Sequence, residues 1–106
     1  MMDVESKVIS REINQLLWKA EKTLSTAESC TGGRVAEAII TVPGSSVYFK
    51  GGIISYTNEI KEKLLGVSHE LLEEKTAVCE EVAKAMVQGA IKAMDTTYAI
   101  AVSGIA

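Results

Sequence analysis

Serine, cysteine and threonine stand side by side at Ser29-Cys30-Thr31, followed by Gly32-Gly33, where a β-prone run gives way to a helical pattern. A strand-turn-helix junction of this kind aims backbone N–H groups of the first helical turn at whatever lies above the strand end. An anion or a developing oxyanion is favoured there. Ser29 is the natural nucleophile, and Thr31, Gly32 and Gly33 are small enough to let a substrate approach the backbone closely. Such junctions are also common as plain connections, so the turn needs a partner before chemistry is assigned to it.

A candidate base lies at a second junction. Thr57-Asn58 follows Tyr56, and Ile60, Leu64 and Leu65 form an apolar face closed by Gly66. The spacing predicts a short helix with Asn58 as N-cap and a glycine stop. Lys61 then falls in the first turn, where the helix dipole disfavours a cation by about 0.3–1 kcal/mol. Partial burial at that position lowers a lysine pKa toward that of a useful base. The competing reading is an ordinary solvated lysine.

The other reactive side chains carry weaker signals. His69, the only histidine, has no obvious carboxylate or cysteine partner and reads as an exposed residue in the first turn of a helix. That argues against a Ser-His mechanism. Cys30 and Cys79 form no CxxC and have no histidine close in sequence, so neither a zinc site nor a disulfide framework is expected. Cys30 as nucleophile is a further option, one that insensitivity to iodoacetamide would count against.

The elements that must position these residues follow from periodicity. Ile9, Ile13, Leu16, Leu17 and Ala20 form an amphipathic stripe between Val4 and Ala20, with Trp18 beside it. Thr23 to Ala27 reads as a short strand, and Val35, Ala36, Ile39 and Ile40 as a helix stopped by Pro43-Gly44. Gly44-Ser45-Ser46 is loop punctuation, or a capped turn with hydroxyls at a pocket mouth. Val47 to Phe49 and Ile53 to Tyr56 give a second strand, with Gly51 and Gly52 signalling a bulge or a close backbone approach. A short helical stretch runs through Leu71, Leu72 and Lys75. The stripe Val82, Ala83, Met86, Val87, Ala90, Ile91 and Met94 then defines a long helix from Glu80 to Met94. Tyr98 to Ser103 is a near-continuous apolar run of the buried parallel-strand type.

At 106 residues the chain makes one domain, spanning 1–106. Its 47% hydrophobic content supports a packed core. A formal charge of -3 with lysines and arginines scattered singly gives no basic stripe, so nucleic acid is not an expected partner. No run approaches the ~18 apolar residues of a membrane span and the start is acidic, so no membrane partner is expected and the protein is placed in the cytoplasm. The apolar run to Val102 followed by Ser103-Gly104 ordinarily leads into another element, so the chain reads as ending early.

Several separated motifs, in order, point to a family. Thr26-Ala27-Glu28-Ser29-Cys30-Thr31-Gly32-Gly33, Val42-Pro43-Gly44-Ser45-Ser46, Phe49-Lys50-Gly51-Gly52, Ser55-Tyr56-Thr57-Asn58-Glu59-Ile60-Lys61 and Val102-Ser103-Gly104-Ile105-Ala106 closely resemble the C-terminal domain of the competence/damage-inducible protein CinA, the nicotinamide-nucleotide amidase family. The resemblance implies an α/β fold, a three-layer α/β/α sandwich around a mixed, largely parallel sheet. It implies hydrolysis of the carboxamide of nicotinamide mononucleotide to nicotinate mononucleotide and ammonia, in pyridine-nucleotide recycling, with no cofactor and no metal. Ser29 would be the nucleophile, Lys61 the proton acceptor, and Tyr56 the group that orients the lysine or relays its proton. The N–H groups from Cys30 through Thr31 and Gly32 to Gly33 would hold the oxyanion. The same turn, with Ser45, Ser46, Ser103 and Gly104, would hold the ribose phosphate.

Two departures from the family pattern stand out. Cys79 replaces a serine common before the long helix and is a poorer N-cap. The family also continues after Gly-Ile-Ala with a glycine-rich loop, further strands and a closing helix, so the C-terminal part of the fold is expected to be missing. A chain of this length would then be catalytically silent, binding a nucleotide or a partner chain, or would complete its sheet with another copy as a homo-oligomer.

Overall fold

The computed structural model describes residues 3–76 and 78–104; Ile105 and Ala106, which close the last motif, lie outside the described residues. The elements run α1 (Val4–Ala20), β1 (Leu24–Glu28), α2 (Arg34–Ile40), a single 3-10 turn (Ser45–Val47), β2 (Phe49–Ile54), α3 (Asn58–Leu65), α4 (His69–Lys75), α5 (Glu80–Met94) and β3 (Tyr98–Val102). Three strands form one sheet in the order β2-β1-β3, with both pairings parallel. This is the expected α/β arrangement, all parallel in the strands described.

Strand alternation sorts the core into two layers. Ala27 faces one side, where Leu65, Val67, Leu72, Val82, Met86 and Ala90 of α3 to α5 pack together with Ile53, Ala99 and Ala101. Leu24 faces the other, joining Leu17 of α1, Ile39 of α2, Tyr48 and Phe49, with Ile100 against them. Helices therefore cover both faces. A parallel sheet requires this, because its crossover connections lie on its faces and its strands are apolar on both sides. Every residue of β1 is buried.

Local chemistry accounts for the element ends. Asp3 caps α1 by accepting from the Ser6 N–H at 2.7 Å, and Glu21 ends the helix in the left-handed region. Asp95 closes α5 in the same left-handed conformation, while Cys79 starts that helix without a side-chain cap bond. The paired glycines of β2 serve both purposes the sequence suggested. Leu24 pairs with Phe49 but Ser25 with Gly51, so Lys50 is bulged out of the register. At Gly52 a Cβ would collide with Thr26 Oγ1 on the neighbouring strand. The 3-10 turn at Ser45–Val47 starts after Gly44, whose positive φ of 83° suits glycine.

Several boundaries differ from expectation: β1 runs Leu24–Glu28 rather than from Thr23 to Ala27, β2 runs Phe49–Ile54 with Val47 in the 3-10 turn and Ser55 and Tyr56 beyond the strand, and the cap of α3 shifts by a residue. The N-cap of α3 is Thr57, not Asn58: its hydroxyl accepts from Ile60 N–H at 3.3 Å. Threonine and asparagine both cap well. Thr57 has the extended backbone a cap needs, and Asn58 enters the helix. The stop at Gly66 is as the spacing predicts, with φ 67°.

Candidate active site

The turn after β1 and the first turn of α3 meet at the C-terminal ends of the strands. β1 carries the chain into Ser29, whose N–H extends the sheet ladder by donating to Val102 O at 3.0 Å. β2 ends beside it, with Ser55 N–H donating to Glu28 O at 2.7 Å. α3 then starts so that Lys61, one turn in, points back over the strand ends. Its N–H bonds to Thr57 O and its side chain is 1% exposed.

Lys61 Nζ lies 3.3 Å from Ser29 Oγ, 2.8 Å from Ser55 O and 3.4 Å from Tyr56 O. Ser29 is itself buried. Burial holds the Lys61 pKa below its ordinary 10.5 and outweighs the neighbouring Cys30, which pulls it upward. Among the described residues no carboxylate offsets this: the polar contacts of Nζ there are two carbonyls and a hydroxyl. The arrangement suits a neutral amine. Nζ donates to Ser29 Oγ when protonated; in the neutral amine the two carbonyls, which can only accept, would take its two N–H donors and leave the lone pair for Ser29 Oγ. That pair can take the serine proton. Lys61 is thus no solvated surface lysine.

The turn between Ser29 and α2 is tied down from below by Glu28, a fully buried carboxylate. Its Oε1 accepts from Thr31 Oγ1 at 2.6 Å, Gly33 N–H at 3.1 Å and Val35 N–H at 3.0 Å; its Oε2 accepts from Ala36 N–H at 3.0 Å. Burial opposes the charge, but these donors outweigh it and hold the Glu28 pKa below its ordinary 4.5. The first turn of α2 is therefore already occupied by an anion from within the chain. Gly32 N–H is also committed, donating to Ser29 O at 3.1 Å. Of the four N–H groups expected to serve an oxyanion, those of Gly32 and Gly33 are engaged, and those of Cys30 and Thr31 have no acceptor among the described residues.

The other expected site residues divide by their place on the sheet. Ser103 and Gly104 follow β3 at the same end as Ser29, and a Cβ on Gly104 would stand 3.5 Å from Cys30 Sγ. Ser45 and Ser46 lie just before β2, whose first residue pairs with Leu24 at the start of β1. Within one chain they sit at the opposite end of the strands from Ser29. Tyr56 contributes its backbone carbonyl to Lys61, while its side chain is 75% exposed. His69 is an exposed first-turn residue, as expected, but it does have carboxylate partners: Nδ1 lies 3.1 Å from Glu62 Oε2 and Nε2 3.5 Å from Glu73 Oε1. The Glu62 hydrogen bond and charge, with Glu73 and Glu70 beside it, raise its pKa above 6.5. No group of three or more His, Cys, Asp or Glu among the described residues could hold a metal ion, and no described helix is long and apolar enough to cross a membrane.

Sequence reasoning assigned no role to Glu28 or Ser55. The signal for Glu28 was an acid at the end of a strand buried on both faces, between Ala27 and Ser29. A charge in that position must find several donors.

Comparison with known proteins places the fold in a family. The profile of the CinA C-terminal domain family matches residues 6–106. This chain belongs to the CinA C-terminal domain family. A CinA-like protein of Endomicrobium trichonymphae is 46% identical over 102 residues, which are 96% of this chain and 24% of that protein. A CinA-like protein of Parasynechococcus marenigrum is 52% identical over 91 residues, 86% of this chain and 22% of that one. Among solved structures, the competence/damage inducible protein CihA from Agrobacterium tumefaciens superposes with a TM-score of 0.96 at 35% identity, covering 99% of this chain and 64% of that chain. The CinA superfamily protein ECK1530/EC0983 from Escherichia coli gives 0.89 at 33% identity, covering 95% and 60%. The CinA-family chain thus spans about a quarter of the length of the curated relatives it matches and about three-fifths of those solved chains.

Proposed function

We propose that the protein is a metal-independent amidohydrolase that cleaves the carboxamide of nicotinamide mononucleotide through an acyl-enzyme on Ser29, with Lys61 as general base and acid. The observation that carries this reading is the buried Lys61 Nζ, 3.3 Å from Ser29 Oγ, with two carbonyls holding its N–H donors.

Ser29 Oγ attacks the amide carbon while its proton passes to Lys61 Nζ, and the carbonyl π pair moves to oxygen. The N–H groups of Cys30 and Thr31 receive that oxyanion, a contribution of about 3–4 kcal/mol per donor at sites of this type. Collapse breaks the C–N bond as the Lys61 ammonium returns the proton to nitrogen, and ammonia leaves. Neutral Lys61 then draws a proton from water, whose oxygen attacks the ester and releases the carboxylic acid and Ser29. Lys61 starts and ends each half-reaction neutral, so its depressed pKa serves both. Tyr56, adjacent in sequence and largely exposed, would close over the lysine when substrate binds, orienting it or relaying its proton. Ser103 and Gly104 stand on the side of the turn where the rest of the nucleotide would lie.

The test is ammonia and nicotinate mononucleotide release from nicotinamide mononucleotide by this chain, by Ser29→Ala and by Lys61→Ala. Both variants are expected to keep the fold and lose about 10³-fold or more in kcat. Full turnover in either variant would end the proposal. Saturable nucleotide binding without ammonia release by the unaltered chain would favour a silent binding domain instead.

A further inference from the structure

Glu28 is the one buried acid among the described residues, and the mechanism above gives it no role. A capping acid ordinarily stands at the N-cap itself. Here the N-cap of α2 is Gly33, with φ 105° and no side chain to offer. The carboxylate instead comes from five positions back, across the turn that carries the nucleophile.

The placement has two consequences. Backbone pairing fixes Glu28 at the end of β1, next to Val102 on one side and Ile54 on the other. Its carboxylate then reaches over the turn and is bonded to Thr31 within it and to Gly33, Val35 and Ala36 beyond it. The segment Ser29 to Gly32 is thereby held at both ends and in the middle. The carboxylate also fills the positive end of α2, so a substrate anion finds that end neutralised. What the turn has left to offer is the pair of N–H groups at Cys30 and Thr31.

We propose that Glu28 is a positioning residue for acyl transfer at Ser29: its carboxylate staples the Ser29–Gly33 turn to α2 in the one shape that presents the Cys30 and Thr31 N–H groups together to the oxyanion. This rests on Ser29 being the nucleophile. It assigns the electrostatic work of catalysis to two turn amides and reserves the helix terminus for the scaffold. Glu28 touches no substrate and acts only through the turn.

The test uses Glu28→Gln, which retains one carbonyl oxygen but meets an N–H with an NH2 group, and Thr31→Val, which removes only the hydroxyl tether. Two readouts are measured for each: kcat and KM with nicotinamide mononucleotide, and the acylation rate of Ser29 by p-nitrophenyl acetate. In the second, the serine oxygen bonds the acetyl carbon, nitrophenolate leaves and the serine proton passes to Lys61; intact-protein mass confirms one added acetyl. The ester needs the nucleophile and the oxyanion donors but no nucleotide recognition.

Glu28→Gln is expected to lower kcat and the acylation rate in parallel, by about 10- to 10³-fold, with KM within about twofold of the unaltered chain. Thr31→Val, which removes one of four donors, should stay folded with a lowered thermal midpoint and lower both rates several-fold, so the inference stays testable if the first variant unfolds. Acylation of either folded variant at the unaltered rate would overturn it, as would a rise in KM with kcat unchanged. If the unaltered chain is acylated by the ester yet releases no ammonia from the nucleotide, the amide substrate is wrong and the acylation rates still decide the role of Glu28. No acylation of the unaltered chain overturns both.

Discussion

Lys61 is buried with no carboxylate partner among the described residues, and that sets how the protein responds to pH. Its pKa in the folded chain lies below 10.5, so it loses its proton at a lower pH than a free lysine does. With the neutral amine as the proposed base, kcat/KM should rise with pH through the folded pKa and level off before 10.5. The unfolded chain holds the proton up to 10.5, so between the two values it binds more protons than the folded state. Stability rises with pH across the same interval. Activation and stability thus run in the same direction for this group. Lys61→Arg keeps a charge at every accessible pH, so its profile should be flat and its rate about 10³-fold or more below that of lysine. A pH–rate series on both proteins checks this; a profile for the lysine enzyme that climbs only beyond 10.5 would contradict it.

The two halves of the site ride on different elements, so the contact between α3 and α5 matters as much as the residues themselves. Gly89 of α5 packs directly on the backbone of Leu65 at the end of α3, and a Cβ there would run into that backbone. Alanine improves helix propensity by about 1 kcal/mol. Overpacking costs about 1–3 kcal/mol, and the upper end applies here because backbone yields less readily than a side chain. Gly89→Ala should therefore destabilise the protein by about 2 kcal/mol net in urea unfolding. It should also shift the helix that carries Lys61, lowering kcat without touching the site; a stabilised, fully active variant would refute the argument.

The same elements show what a sequence discloses. α1 and α5 run Val4–Ala20 and Glu80–Met94, as their apolar periodicity predicts, because one long stripe must face one core. The N-cap of α3 moved by a residue because Thr57 and Asn58 are chemically equivalent caps and only the backbone path selects between them. Lys61 broke a local rule by standing in a first turn, and its burial beside Ser29 supplies the reason. Glu28 was visible as a motif residue but not as a tether. Its four donors come from positions three to eight residues ahead, and no periodic pattern encodes a side chain reaching across a turn. Ser45 and Ser46 looked equivalent to Ser103 as hydroxyls near glycines. Only the direction of the strands shows that one pair precedes β2 while Ser103 follows β3.

Across the whole molecule, the parallel sheet gives the site a graded rigidity. β1 is central, bonded on both edges and buried at every residue, and it leads directly into Ser29. Among the described residues β3 is bonded to β1 alone; Tyr98 is exposed and the residues after it are half-buried. Local opening costs most where backbone bonds are shielded on both sides and least where one side is open. The proposed nucleophile therefore follows the strand hardest to open among the three described, and the Ser103-Gly104 wall follows one easier to open. This division suits an acyl transfer, which needs its reacting atoms fixed while the surroundings of the substrate can adjust. Native-state hydrogen exchange should find the slowest amides in β1 and clearly faster exchange in β3, with the Ser29 N–H, bonded to Val102 O across that boundary, exchanging at the rate of β3 rather than of β1. Uniform protection over the two strands would mean that the sheet opens only as a unit, and the distinction between a fixed nucleophile and an adaptable wall would fall.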